Sequence, residues 1–191
     1  MGLKKILAGL VAVVALLGMS GCSQSSNTAA TVNGVVITEE YVQSSARYLT
    51  ETLSSEPGYA NFDFVGFVLR NTIMEEILSD TLSQMGITVT DQNREQVWNS
   101  LFDPNSLTYK LWADPKARPT LLGYIDLAMV QTSAQSGNLD TDKLVALIDA
   151  VSVSVNPRYG QWDSESLNLS SRVAPDPVGT LADPVPFSIP A

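Results

Sequence analysis

Cys22 carries the only thiol in this 191-residue chain and follows directly on Met19, Ser20 and Gly21. Upstream stand Lys4 and Lys5, then an uncharged stretch from Ile6 to Gly21 rich in Ala, Val, Leu and Gly. A charged head, an apolar run and small residues before a break point are the layout of an export signal. The run is shorter than the about 20 apolar residues that cross a bilayer. The rest of the chain is poor in catalytic side chains. It has no histidine, which excludes Ser-His-Asp triads, Cys-His pairs and histidine metal sites. No GxxxxGK[ST] or GxGxxG phosphate loop is present. With 20 acids, a carboxylate pair of the kind glycosidases use carries no signal by itself. Asp140 and Asp142 lack the spacing and closing Glu of a calcium-binding EF-hand loop.

A Cys placed just after such small residues makes the segment resemble a bacterial lipoprotein signal, cleaved before Cys22 and then lipidated on that thiol. Met19, apolar and close to Leu in volume, stands where that pattern usually has Leu. The alternative is an ordinary secretory signal followed by a free thiol. More than one acyl chain gives stable anchoring, so the resemblance implies a protein held on the outer side of the cell membrane through Cys22. Loss of residues 1–21 removes Lys4 and Lys5 and no acid. Nine bases then face twenty acids, a net charge of −11. That balance argues against nucleic acid, whose binding rests on Lys and Arg, and against electrostatic docking on anionic lipid. A lipidated Cys22 leaves no thiol for a disulfide.

The elements beyond Cys22 read mainly as helices. Residues 22–29 form a polar tether. Ala30 to Thr38 reads as a short strand pair turned at Asn33-Gly34, or as one bent strand. Thr38 then caps a helix bearing Val42, Ala46, Leu49 and Leu53 at helical spacing, which Pro57-Gly58 ends. A longer helix is predicted from about Asp63 to Met85, stopped by Gly86, with Ile87 to Val89 briefly extended. Thr90 caps a third helix carrying Val97, Trp98 and Leu101. A short helix over Ser106 to Trp112, a turn at Lys116 to Pro119, a helix from about Thr120 to Ala134 and one from Thr141 to Ala150 follow. Val151, Val153 and Val155 alternate with serines as a half-buried strand. Residues 164–191, which hold five of the ten prolines, are predicted to be extended or disordered.

Thr31 to Thr38 (TVNGVVIT) and Gly86 to Asp91 (GITVTD) resemble the N-terminal chaperone domain of SurA-like and PrsA-like foldases, and the ILSDTLSQMG run between them fits the same family. Val153 to Asp163 (VSVNPRYGQWD) is similar to the returning segment of actinobacterial lipoproteins that carry this domain. The resemblance spans about Ala29 to Asp163. It implies a mainly α fold over residues 30–163, closed by a β element made from N-terminal and C-terminal strands, that clasps unfolded or extended exported polypeptides. A parvulin-type isomerase domain often interrupts such chains. Only helical sequence separates Asp91 from Val151 here, and there is no His, so a non-enzymatic, cofactor-free protein is expected.

Candidate walls of a groove for apolar client segments are Tyr41, Tyr48, Phe64 and Phe67, with Phe62 beside them, and the indoles of Trp98 and Trp112. The plain alternative is that these residues are core. Phe62 and Phe64 cannot share a face if both are helical. Arg158 to Trp162 reads either as a ligand loop or as a turn whose Tyr159 and Trp162 cover the strand edge. The expected activity is holding exported polypeptides at the membrane without catalysis. The other readings are an assembly lipoprotein docking one folded partner and, last, a prolyl isomerase.

Overall fold

The computed structural model describes residues 27–170; the predicted signal segment, Cys22 and the chain from 171 onward lie outside them. Strands β1 (Thr28–Val32) and β2 (Val35–Thr38) form the expected hairpin, with Val32 opposite Val35. Asn33 and Gly34 both take positive φ, 47° and 88°, the conformation a two-residue type I′ turn requires. Asn33 also ties the turn to distant chain. Its Nδ2 donates to Asp80 at 2.8 Å, and its Oδ1 accepts from the Ser152 amide at 2.9 Å.

Thr38 caps α1 (Glu39–Leu53), accepting from the Tyr41 amide at 3.2 Å. The helix buries Val42, Ala46, Leu49 and Leu53, the four positions its spacing marks. α2 (Phe64–Gln84) is the central element and is buried on more than one face. Its end is a Schellman motif: the Gly86 amide reaches Ser83 O and the Ile87 amide reaches Leu82 O, both at 2.9 Å, with Gly86 at φ 76°. Ile87 to Val89 is irregular and pairs in no sheet among the described residues; the Ile87 amide is spent closing the helix. α3 (Asp91–Leu101) opens with a Thr90–Asn93 capping box. α4 (Leu107–Ala113), a 3-10 turn (Arg118–Leu121), α5 (Leu122–Gln135) and α6 (Thr141–Asp149) complete the helices. Asp140 is the N-cap of α6, accepting from Lys143 N at 3.0 Å.

α2 packs on α1 and, more closely, on α5. At the α2–α5 crossing a Cβ on Gly123 would sit 2.0 Å from Asn71 O and 2.9 Å from Glu75 N. Close by, fully buried Asp126 of α5 takes a two-point bond from Arg94 of α3, Nε to Oδ1 and Nη2 to Oδ2, each 2.7 Å. Glu75 of α2 lies 4.0 Å from the same guanidinium. A smaller apolar cluster of Met74, Leu78, Leu82, Val130, Leu139 and Leu144 joins α2, α5 and α6.

Burial pushes the Glu75 carboxyl above its usual range, with Glu76 and Asp126 adding to the rise and Arg94 opposing it. A carboxyl raised on folding contributes stability below its unfolded pKa, about 4.3, and loses that contribution as pH rises through the folded value. Ionised Glu75 is therefore a cost at neutral pH. Glu75→Gln is expected to raise Tm at pH 7, with the gain shrinking toward pH 4. A lower Tm at pH 7 would show instead that attraction to Arg94 outweighs desolvation.

The chain returns as β3 (Val153–Val155), antiparallel to β1 with Ala30 opposite Val155, so the sheet order is β2-β1-β3. This is the expected closure by N-terminal and C-terminal strands. Asn156 locks it, its amide donating to Ala29 O at 2.8 Å and its Nδ2 to Thr28 O at 3.1 Å. Tyr159 is buried; its hydroxyl bonds Glu39 and accepts from Gln43 Nε2 at 3.0 Å, while Arg158 pairs with Glu39. Trp162 packs against the main core. Arg158 to Trp162 is thus the covering turn.

Two predicted boundaries move. Thr28 and Ala29 belong to β1 and are buried, so the tether ends before residue 28: β1 needs their backbone groups to meet β2 and Asn156. Residues 164–170 are part of the fold and not of the tail. β4 (Gln161–Asp163) pairs with β5 (Asn168–Ser170). Leu169 packs on the core, and Arg70 Nε donates to Leu167 O at 3.2 Å.

Candidate functional site

The candidate site begins where α1 ends. Ser54 to Asp63 leaves α1 as a loop whose backbone bonds run from Glu56 to Leu53, from Tyr59 to Glu56 and from Phe62 to Tyr59. Asp63 then caps α2 through the Gly66 amide at 2.9 Å. Phe62 precedes this cap and Phe67 is the fourth helical residue, so their edge-to-face contact at 5.6 Å is a hydrophobic staple. Because Phe62 lies outside the helix, it also meets Phe64 at 4.9 Å. The expectation that these rings could not converge applied only to a helical Phe62. Tyr59 adds a stacked contact to Phe64 at 6.2 Å.

Behind this loop lies a hollow walled by Leu49 and Leu53 of α1, the rings of Tyr59, Phe62, Phe64 and Phe67, and Trp98 of α3. Thr108 and Leu111 of α4, with Leu121 and Tyr124, close the far side. The free space is about 30 Å³, room for roughly two waters. An apolar side chain therefore enters only if the aromatic loop swings outward. Burial raises the phenols of Tyr59 and Tyr124, with the charge of Glu56 adding to the rise at Tyr59. Both walls stay neutral at physiological pH.

Of the six residues named as candidate groove walls, Phe64, Phe67 and Trp98 line this hollow, and Phe64 and Trp98 are at the same time buried in the main core. Trp112 stands one layer back. Its ring stacks on Trp98 at 4.6 Å, its Nε1 donates to Glu95 at 2.7 Å, and the Arg118 guanidinium lies 4.3 Å above it. That arrangement braces Trp98 and leaves Trp112 no surface toward the hollow. Tyr41 faces the side of α2, bonding Thr72 near Glu75. Tyr48 bonds Asp114 and lies under Lys116. Their phenol oxygens need polar partners and find them away from the hollow, Thr72 on α2 and Asp114 just after α4. Sequence reasoning missed Tyr59, Thr108 and Tyr124. Tyr59 beside Pro57-Gly58 was the one with a legible signal, an aromatic on an exposed turn.

Trp98 is fully buried, and its indole Nε1 has no hydrogen-bond partner. Among the described residues no group of His, Cys, Asp or Glu is placed to hold a metal ion, and no helix is long and apolar enough to cross a membrane.

Helices around an aromatic hollow, closed by strands from the two ends of the fold, define a mainly helical module. The sequence profile of the SurA-like N-terminal domain matches residues 3–148. The chain belongs to that family, whose module is of the chaperone type and is not catalytic. Neither the curated proteins nor the solved structures give a significant match. The match stops before β3, so the closing segment lies outside it.

Proposed function

We propose that this protein is a membrane-anchored extracytoplasmic chaperone that holds unfolded exported polypeptides without catalysis. Lipid on Cys22 supplies the anchor, and the hollow takes apolar side chains of the client. The observation that carries the reading is the hollow itself: an apolar, aromatic-walled space behind a loop held by rings and by short-range backbone bonds, in a domain of chaperone type. Swinging Tyr59 and Phe62 outward opens the space and lets a client ring or aliphatic chain replace theirs. Ordering a disordered client costs about 2–5 kcal/mol, so affinity is weak and tolerant of sequence.

The test is titration of the full-length chain in detergent with several unfolded exported polypeptides and one folded control. Tryptophan fluorescence reports the stacked Trp98–Trp112 pair. Saturable binding to the unfolded chains, suppression of their aggregation and indifference to the folded control are expected. Silence toward every unfolded chain would overturn the reading and favour a lipoprotein that docks one folded partner. Fatty-acid labelling lost in Cys22→Ser tests the anchor.

A further inference from the structure

The chain beyond β5 carries the chemistry of a client. Residues 171–191 lie outside the described residues. Their charged side chains, Arg172, Asp176 and Asp183, all precede Pro184. From Pro184 to Ala191 the sequence is PVPFSIPA, with Val185, Phe187 and Ile189 at alternate positions. Alternate side chains of an extended chain project to one side. Pro184, Pro186 and Pro190 supply no N–H, so the segment is a poor addition to a sheet edge such as β2. What it offers a binding site is side chains, and Pro-rich segments dock in aromatic-lined grooves at low entropic cost. The hollow at the end of α1 has such walls.

The root of this segment sets its reach. Ser170 stands opposite Gln161, two residues past Tyr159, whose hydroxyl bonds Glu39 and Gln43 at the start of α1. Leu49 and Leu53, toward the other end of that 15-residue helix, wall the hollow. A helix of that length spans about 21 Å. The turn of the β4–β5 hairpin lies beside α2: Leu167 O accepts from Arg70, one turn along from the wall residue Phe67. Seventeen residues lead from Ser170 to Phe187. As a coil they average about 21–25 Å end to end, and a tether whose mean length matches its span gives the highest effective concentration.

We infer that residues 184–191 are an intramolecular occupant of the hollow, with Phe187 taking the place of the loop rings, so that a client must displace it. The inference rests on the hollow being the client site proposed above. The free space of about 30 Å³ does not hold a benzyl side chain, so Phe187 enters as a client ring does, with Tyr59 and Phe62 swung outward. At an effective concentration of about 1 mM, a segment whose free peptide binds at about 0.1 mM keeps about one molecule in ten open. Client affinity then falls about tenfold.

The test compares the full-length protein in detergent with its Phe187→Ser, Ile189→Ser variant, whose changes lie beyond β5. The synthetic peptide PVPFSIPA is titrated into each by calorimetry. It is expected to bind the variant near 0.1 mM and the unaltered protein about tenfold more weakly. Unfolded exported polypeptides are expected to show the same tenfold preference for the variant. A photoreactive benzophenone in place of the peptide's Phe is expected to crosslink the variant within residues 49–67 and 98–124. Failure of the peptide to bind the variant would overturn the inference, as would equal binding to both proteins. Crosslinks confined to residues 35–38 would move the contact to the β2 edge and sink the placement in the hollow. A tenfold peptide difference beside silence toward every unfolded polypeptide would keep the tail contact and overturn the chaperone reading alone.

Discussion

Asp126→Ala is expected to cost about 3–5 kcal/mol, because it strands a charge rather than deleting a contact. The Asp126 side chain is fully buried, and that of Arg94 is only 13% exposed. Both carboxylate oxygens are taken by the guanidinium at 2.7 Å. With Asp126 gone, the nearby acids are Glu75 at 4.0 Å and Asp91 at 3.7 Å, the latter on the surface. Neither offers the two-point geometry. Domains of this size have about 5–15 kcal/mol of stability in all, so the loss threatens the fold itself. Denaturant unfolding checks it, and a loss below 1 kcal/mol would show that the pair is dispensable. The double change Arg94→Met with Asp126→Leu is expected to recover most of the loss, since replacing both partners removes the stranded charge.

Gly123→Ala is the second large effect, and here the sign is the informative quantity. At an exposed helical site the change would stabilise by about 1 kcal/mol through helix propensity. At Gly123 the new methyl would lie 2.0 Å from Asn71 O, with Glu75 N at 2.9 Å. Both are backbone atoms of α2, which no rotamer change can move aside. α5 must retreat from α2, and overpacking of that kind costs about 1–3 kcal/mol and at times more. We expect a net loss of about 3 kcal/mol, together with weaker client binding, because Tyr124 is one residue along α5 and walls the hollow. Unchanged or increased stability would show that the crossing is looser than its geometry.

Much of this fold was legible where one local rule decided the outcome. Asn33-Gly34 set the hairpin, Thr38 and Thr90 set helix starts, and Gly86 set a helix end, each by backbone chemistry confined to a few residues. The returning Val153–Val155 strand was legible because its alternation is bounded by Asn156-Pro157. The β4–β5 hairpin was not: each strand has three residues, and the turn places Leu167 at φ 49° with no glycine to announce it. Asp163 builds that turn, accepting from the Glu165 amide and the Ser166 hydroxyl.

The candidate site was half legible. Aromatic residue type marked Phe64, Phe67 and Trp98, but type alone does not separate a wall from a brace. Trp112 and Trp98 differ in which neighbour reaches the indole, Glu95 in one case and none in the other. Tyr41 and Tyr48 were drawn elsewhere by partners on α2 and beside Lys116. Leu111, Leu121 and Tyr124 come to the hollow only through tertiary packing.

The strand order β2-β1-β3 also sets a timetable. β1 is made early in synthesis, yet its second edge waits for a partner 128 residues further on, where Asn156 meets Thr28. Closing so long a loop carries an entropic cost that local helices escape, and contacts of such separation form slowly. During that interval Ala29 to Thr38, a run without charge or proline, presents an open edge of the kind that invites pairing with other chains. Before its own last strand arrives, the nascent domain is itself the sort of exposed, extended polypeptide that a chaperone would hold.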